Sequence, residues 1–208
     1  MASFNPVTKE VGFTFVGITA GVETDMGTYY FNEELNKWTS KWDYQESGLC
    51  PTGFADINQS YISFVGKKIW LHEKGTRNLI YGTQLPVTVE MIFNKGAITS
   101  KIYKTIEIEG IGSWSCPVEG DIFIDAKNSN IKRDQKSRLV AGKFQNVMGT
   151  MIAPFMKDMN TQNGVNPIFN LMNGHDLKGN ILFLRLVNTD TTEAVLDTVV
   201  VTSRILGQ

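Results

Sequence analysis

Four residues carry the side chains that a metal ion or a covalent mechanism would need: Cys50, His72, Cys116 and His175. None stands at the Cys-x-x-Cys or His-x-x-x-His spacing with which a tight turn or one helical turn closes on zinc, so no metal site is expected. His72 ends an apolar run beside Glu73, and His175 sits in the turn Asn173-Gly174-His175-Asp176, so both read more plainly as surface or hydrogen-bonded turn residues than as catalytic bases. Gly110-Ile111-Gly112-Ser113-Trp114-Ser115 follows a strand pattern but lacks a third glycine, and Cys116-Pro117 stands where a phosphate-binding helix should begin. No dinucleotide, and no other cofactor, is expected. A P-loop lysine, a GxSxG elbow and an HExxH helix are all missing. Paired carboxylates are the remaining route to catalysis, since a glycosidase needs two across a cleft. Glu107 and Glu109 share a strand face, and Asp121 and Asp125 flank Ile122-Phe123-Ile124, but a chain with 21 acids offers such pairs by chance. Nothing singles one out, and the expectation is a protein that is not an enzyme.

The elements that would position any such group are strands. Residues 61–72, 86–94, 101–110 and 181–205 are rich in β-branched and aromatic side chains and are divided by Gly, Asn and Thr turns. In 101–110, Ile102, Ile106 and Ile108 alternate with Thr105, Glu107 and Glu109, which gives one apolar face and one wet face. Gly66-Lys67-Lys68 reads as the connection of a hairpin over 61–72, and Asn188–Glu193 as the turn of a last hairpin. Residues 12–31 read as two β-prone runs around a Gly-rich turn, and GLCPTG at 48–53 as a turn. Glu33 to Trp42 reads as a short helix, or as a loop stapled by Trp38 and Trp42.

At 208 residues the chain can form one sizeable β domain with extended arms. The run Ile181–Val187 is broken by Arg185 and is far shorter than the roughly 20 residues of a membrane-spanning helix, so no span is expected. The opening MASFNPVTKEV lacks the basic and apolar regions of a signal peptide, and Cys50 and Cys116 then read as thiols in a reducing cytosol. Net charge is −1, but the charge is segregated. Residues 1–60 carry eight acids against three lysines, whereas 127–143 carry Lys127, Lys132, Arg133, Lys136, Arg138 and Lys143 against Asp134. Each stretch is either a solvated face or one of two complementary patches that set copies or neighbours in register. Aromatics do not interleave the basic stretch and the pI is near 6.1, which argues against a nucleic-acid binder.

Residues 146–174 hold Met148, Met151, Met156, Met159 and Met172 among recurring Asn, Gly and Pro. Methionine fills irregular gaps and adapts to partners, and a long unstructured stretch is uncommon in a compact domain unless it is functional. Two readings stand side by side: an amphipathic helix over Met148–Met159, or an arm that docks on a neighbouring subunit. The candidate subunit-contact residues are Met148, Met151, Phe155, Met156 and Phe169, with Lys132, Arg133 and Arg138 from the basic stretch.

The order of these pieces resembles the tail and portal-proximal structural proteins (ring, tail or muzzle-like) of crAss-like bacteriophages. Phe64, Trp70, His72, Tyr81, Gly82, Ile92, Asn94, Lys101, Tyr103 and Ile106 stand at matching positions in one block. Lys132-Arg133-Asp134, Ile152-Ala153-Pro154 and the terminal LKGNILFLRLVN…AVLDTVVVTSR match a later block, so the likeness covers roughly residues 60–208. Family members of the muzzle type are usually much longer, and the Met-rich stretch does not align well.

The expected fold is mainly β: an antiparallel sandwich or barrel-like domain of about eight to ten strands with extended arms and little helix. Residues 1–60 form an N-terminal β-rich segment, and 61–208 the main domain with its Met-rich arm at about 146–174. The resemblance implies a virion structural protein in a ring or tail assembly at the portal, assembled in the bacterial host cytoplasm. Its implied partners are further copies in a homo-oligomeric ring and neighbouring portal, ring or tail proteins, with DNA met only as lumen passage. The alternative is a carbohydrate- or receptor-binding β module of a phage tail, with Trp38, Trp42, Trp70 and Trp114 either as stacking platforms or as ordinary core filling.

Overall fold

The computed structural model describes residues 1–19, 22–42, 44, 50–96, 98–118, 122–125, 135–139, 141–158 and 175–206. They form antiparallel sheets of 19 strands and one short 3-10 turn at Ala141–Lys143, with no closed barrel. The mainly β expectation holds, but the strands outnumber the eight to ten expected because several runs that read as one are cut by tight turns. Contacts divide the chain into two units, Met1–Leu85 and Pro86–Gln208.

In the first unit β1 (Ala2–Asn5), β2 (Glu10–Thr19), β3 (Val22–Asn32) and β4 (Lys37–Trp42) make a four-stranded sheet in chain order. β5 (Pro51–Ile57), β6 (Ser60–Val65) and β7 (Lys68–Leu71) make a three-stranded sheet, and β8 (Leu79–Ile80) pairs with β9 (Thr83–Gln84). The turns are chemically specified. Asn58 and Gln59 both take positive φ between β5 and β6, and Gly66 at φ 57 opens the turn into β7, conformations that let the flanking strands keep their twist. The division after Leu85 differs from the expected break at residue 60. β5 pairs with β6 from Pro51↔Val65 to Ile57↔Ser60, so a cut at 60 would split a pair of neighbouring strands. Glu33–Trp42, read as a short helix or a loop stapled by Trp38 and Trp42, is instead a turn and strand β4, because the long β3 offers a pairing edge and tertiary pairing outweighs local preference. The GLCPTG stretch likewise enters β5 at Pro51, where a missing N–H is tolerated.

The second unit contains β10 (Val87–Phe93), β11 (Lys101–Ile111), β12 (Trp114–Ser115), β13 (Ile122–Asp125), β14 (Gln135–Ser137), β15 (Gln145–Val147), β16 (Thr150–Pro154), β17 (Lys178–Gly179), β18 (Ile181–Asn188) and β19 (Val195–Ile205). One sheet runs β10-β18-β13-β14 with β12 beside β18; the other runs β15-β16-β11, with β17 and β19 also on β11. The two contribute to one core, with Ile106, Ile108, Ile122, Ile124, Leu182, Leu184 and Leu186 nearly or wholly buried. This is a sandwich-like arrangement. The alternation read in 101–110 is real: Ile106 and Ile108 lie in the core and Glu109 is exposed.

The expected terminal hairpin does not form. β18 pairs with β10, β12 and β13, whereas β19 pairs with β11, so the connection crosses from one sheet to the other. Side chains hold this crossing: the Asp190 carboxylate accepts from the Ser113 N–H at 2.6 Å and from Asn188 Nδ2 at 3.1 Å, and Asn188 is itself buried. Two runs with inward residues at every second position both need a core face, and separate sheets supply one to each.

Candidate functional site

Among the described residues no three His, Cys, Asp or Glu side chains converge to hold a metal ion. What converges in the first unit is a set of phenols. Tyr30 on β3 is 2 % exposed, and its hydroxyl donates to the Tyr61 hydroxyl on β6 at 3.2 Å. A phenol has one proton, so Tyr30 must then accept from Tyr44, also at 3.2 Å. The Tyr61 hydroxyl also bonds Ser3 Oγ on β1, 2.7 Å away, where either oxygen can donate. Burial pushes the phenols of Tyr30, Tyr44 and Tyr61 upward from their ordinary value, so all three stay neutral donors.

A second chain of bonds adjoins it. His72 Nε2 lies 2.7 Å from Ser63 Oγ, which lies 2.9 Å from the Tyr81 hydroxyl. The rings of Tyr44, Tyr61 and Tyr81 surround the imidazole at 4.9, 5.5 and 5.7 Å. Burial lowers the His72 pKa to about 4, so it is neutral at pH 7. Every partner is satisfied and none is charged. This network specifies one packing of β1, β3, β6 and the segment around Tyr81.

The unusual surface is the other side of the same sheet. Registers Phe4↔Val11, Phe13↔Tyr29, Val11↔Phe31 and Phe31↔Trp38 place these residues on one face, opposite to that of the buried Gly12, Thr14, Thr28 and Tyr30. That face is open: Phe4 is 53 %, Phe15 59 %, Tyr29 39 % and Trp38 58 % exposed. Trp38 packs edge-on against Phe13, Tyr29 and Phe31, and Lys41 Nζ lies 5.7 Å over the Tyr29 ring. A contiguous aromatic face turned to solvent is the usual mark of an interaction surface. Gly12, Thr14, Thr28 and the hydrogen-bonded Tyr30 line the buried face while Phe4, Phe15, Tyr29 and Trp38 lie outside, the reverse of an ordinary half-buried sheet.

The four tryptophans differ in setting. Trp38 and Trp42 are exposed, on opposite faces of β4 because a bulge at Thr39 shifts the register. Trp70 is half-buried, and Trp114 is core.

The candidate subunit-contact residues are scattered rather than gathered. The described portion of the Met-rich stretch is a hairpin, β15–β16, which corrects both the helix and the unstructured arm over those residues. Its second strand pairs with β11 from Thr105↔Pro154 to Glu109↔Thr150, so its apolar side faces the unit's own core. Met151 packs there and Phe155 is 9 % exposed within it, so Phe155 fills the protein's own interior instead of an interface. Met156 is half-buried, and its carbonyl accepts from Ser137 Oγ at 3.3 Å. Met148 stands fully exposed at the hairpin tip, with positive φ and Gly149 beside it. Arg138 is half-buried next to Leu139, which bridges to Cys116. Phe169, Lys132 and Arg133 lie outside the described residues. The aromatic face was missed although Phe13-x-Phe15 and Tyr29-x-Phe31 share a parity; the sequence does not say which parity faces water.

Residues 75–158 match the family model of the Crassvirus muzzle protein C-terminal domain, about two fifths of the chain. The match supports reading the chain as a virion structural protein of a crAss-like phage. The resemblance read from its residues is thereby borne out. No curated protein matches the chain. The matched stretch runs from Gly75 through β10 to β16 and ends at Asp158, whose carboxylate accepts the Lys136 N–H of β14 at 3.1 Å. No helix among the described residues is long and apolar enough to cross a membrane.

Proposed function

We propose that the protein is a non-enzymatic building block of a ring or tail assembly at the portal end of the virion, assembled in the host cytoplasm. Copies meet by heterologous contacts that close by rotation, and portal or tail proteins stack on the ring. The observation that carries this reading is the open aromatic face of the first unit, with Phe15 and Trp38 each more than half exposed. Aromatic residues concentrate at the centres of protein interfaces, where their burial supplies most of the binding energy. The second unit would contribute most of the stretch that is similar to the muzzle protein's C-terminal domain.

The test is native mass spectrometry of the purified protein and of Phe15→Glu/Trp38→Glu. The wild type is expected as a closed ring, and the variant as a folded protein that no longer forms it. A wild-type monomer that saturates on a glycan array would instead favour the carbohydrate-binding module, a reading to which the exposure of Trp38 and Trp42 lends some weight. Hydrolysis of a glycan at a rate that follows Glu107 or Glu109 would overturn the non-enzymatic assignment.

A further inference from the structure

Edge strands expose rows of N–H and C=O groups to which another chain can pair, and proteins usually guard them with charge, proline or shortness. Most edges here are guarded. β4 carries Lys37 and Lys41, β7 carries Lys68, β10 starts after Pro86 and carries Glu90, and β15 has 3 residues. β19 is the exception. It is 11 residues long, pairs with β11 alone among the described strands, and has no charge, glycine or proline from Thr198 to Ser203. Val199 and Val201 pair with Ile108 and Ile106 on the core side. Thr198, Val200 and Thr202 pair with Glu109, Glu107 and Thr105 on the outer side, where Val200 is 45 % exposed.

This edge is also self-complementary. Thr198-Val199-Val200-Val201-Thr202 reads the same in both directions. In an antiparallel pairing with Val200 on a two-fold axis, Val199 opposes Val201 of the second copy and Thr198 opposes Thr202. Directly opposed residues lie on the same face of a sheet. Core-facing valine therefore meets core-facing valine, outward threonine meets outward threonine, and the two cores fall on the same side of the joined sheet. Asp197 comes opposite Ser203, a carboxylate facing a hydroxyl donor. Opposed residues share parity, so the ladder can form whichever alternate set of backbone groups points outward.

We infer that β19 pairs with β19 of a second copy across a two-fold axis at Val200, joining the two sheets into one. The contact is isologous and closes at two copies. It does not build the ring proposed above and does not depend on that reading, which uses the aromatic face.

Sedimentation velocity on the full chain, over roughly a hundredfold range of concentration, is expected to show a reversible dimer. Phe15→Glu/Trp38→Glu serves as the background wherever the ring obscures it. Thr198→Lys/Thr202→Lys places lysine opposite lysine twice and should weaken dimerisation about tenfold or more. Thr198→Lys/Thr202→Glu places lysine opposite glutamate twice and should keep the dimer. Both positions are exposed on the outer face, and circular dichroism checks that each variant folds. A background that stays monomeric, a Lys/Lys variant that dimerises as well as its parent, or a folded Lys/Glu variant that does not dimerise would each overturn the proposal. If either variant fails to fold, hydrogen exchange on the parent decides: the backbone amides of Val199–Ser203 should gain protection as the dimer fraction rises, and unchanged exchange overturns the pairing.

Discussion

Tyr30 donates its phenolic proton to Tyr61 at 3.2 Å, and neither ring has more than 2 % of its surface open to water. The bond ties β3 to β6, two strands from different sheets of the first unit. Tyr30→Phe removes the donor and leaves the Tyr44 hydroxyl without the acceptor assigned to it, which should cost about 1–3 kcal/mol. Adding Tyr44→Phe should cost less than it does alone, because the stranded group is then gone. Urea unfolding of the two single variants and the double variant measures both effects; strict additivity would refute the relay.

The same burial makes the first unit sensitive to acid. His72 has a pKa near 4 when folded against 6.5 when exposed. Between those values the unfolded chain binds a proton that the folded chain does not, so stability falls as pH drops through this window. The slope is at most about 1.4 kcal/mol per pH unit, levelling below pH 4 and vanishing above 6.5. In His72→Asn the contribution of this residue should be absent, so the urea midpoints of wild type and variant should converge between pH 7.5 and 4.5. Parallel midpoints across that range would remove His72 as the cause.

Much of the fold could be read from residue order because its signals are local. The alternation Ile106-Glu107-Ile108-Glu109 and the turn at Gly66 each need only a few neighbouring residues to be recognised. Pairing over long distances is different. Ile181–Asn188 and Val195–Ile205 look like two arms of a hairpin, and only the three-dimensional demand for two core faces sends them to separate sheets. Phe155 illustrates the same limit. Its neighbours Met151 and Met156 suggested an adaptable arm, but the pairing of Thr105 with Pro154 sets where that stretch lies. The aromatic face was hidden for the converse reason, since Phe13 and Phe15 on alternate positions read as core until Tyr30 and Thr28 are seen to take the inside.

Gly110 marks where β11 changes register against β19, at φ 147. A Cβ there would come within 2.1 Å of the Val195 carbonyl oxygen, backbone that cannot swing aside. Gly110→Ala should therefore destabilise the second unit by about 2–4 kcal/mol, through steric overlap as well as an unfavourable φ. Gly142→Ala meets nothing within 4 Å and serves as the control, with an expected change inside about 0.5 kcal/mol. Thermal unfolding compares the two, and equal midpoints would mean that β19 shifts to admit the methyl group.

Phe155 and Met148, seven residues apart on one hairpin, should respond oppositely to truncation. Phe155 is 9 % exposed, belongs to the cluster containing Ile106 and Leu184, and has its N–H bonded to the Lys104 carbonyl at 2.9 Å. Phe155→Ala leaves a cavity lined by residues that the two sheets hold in place, and should cost about 3–5 kcal/mol. Met148 at the tip buries nothing of its own unit, so Met148→Ala should leave stability within about 0.5 kcal/mol. Because β16 is a strand of the core sheet, deleting 148–172 should unfold the second unit instead of releasing a soluble domain that has merely lost an arm. Urea midpoints for the two point variants, with the near-ultraviolet circular dichroism of the deletion, check the set. A deletion that keeps native Trp114 dichroism would return the hairpin to the role of a detachable arm.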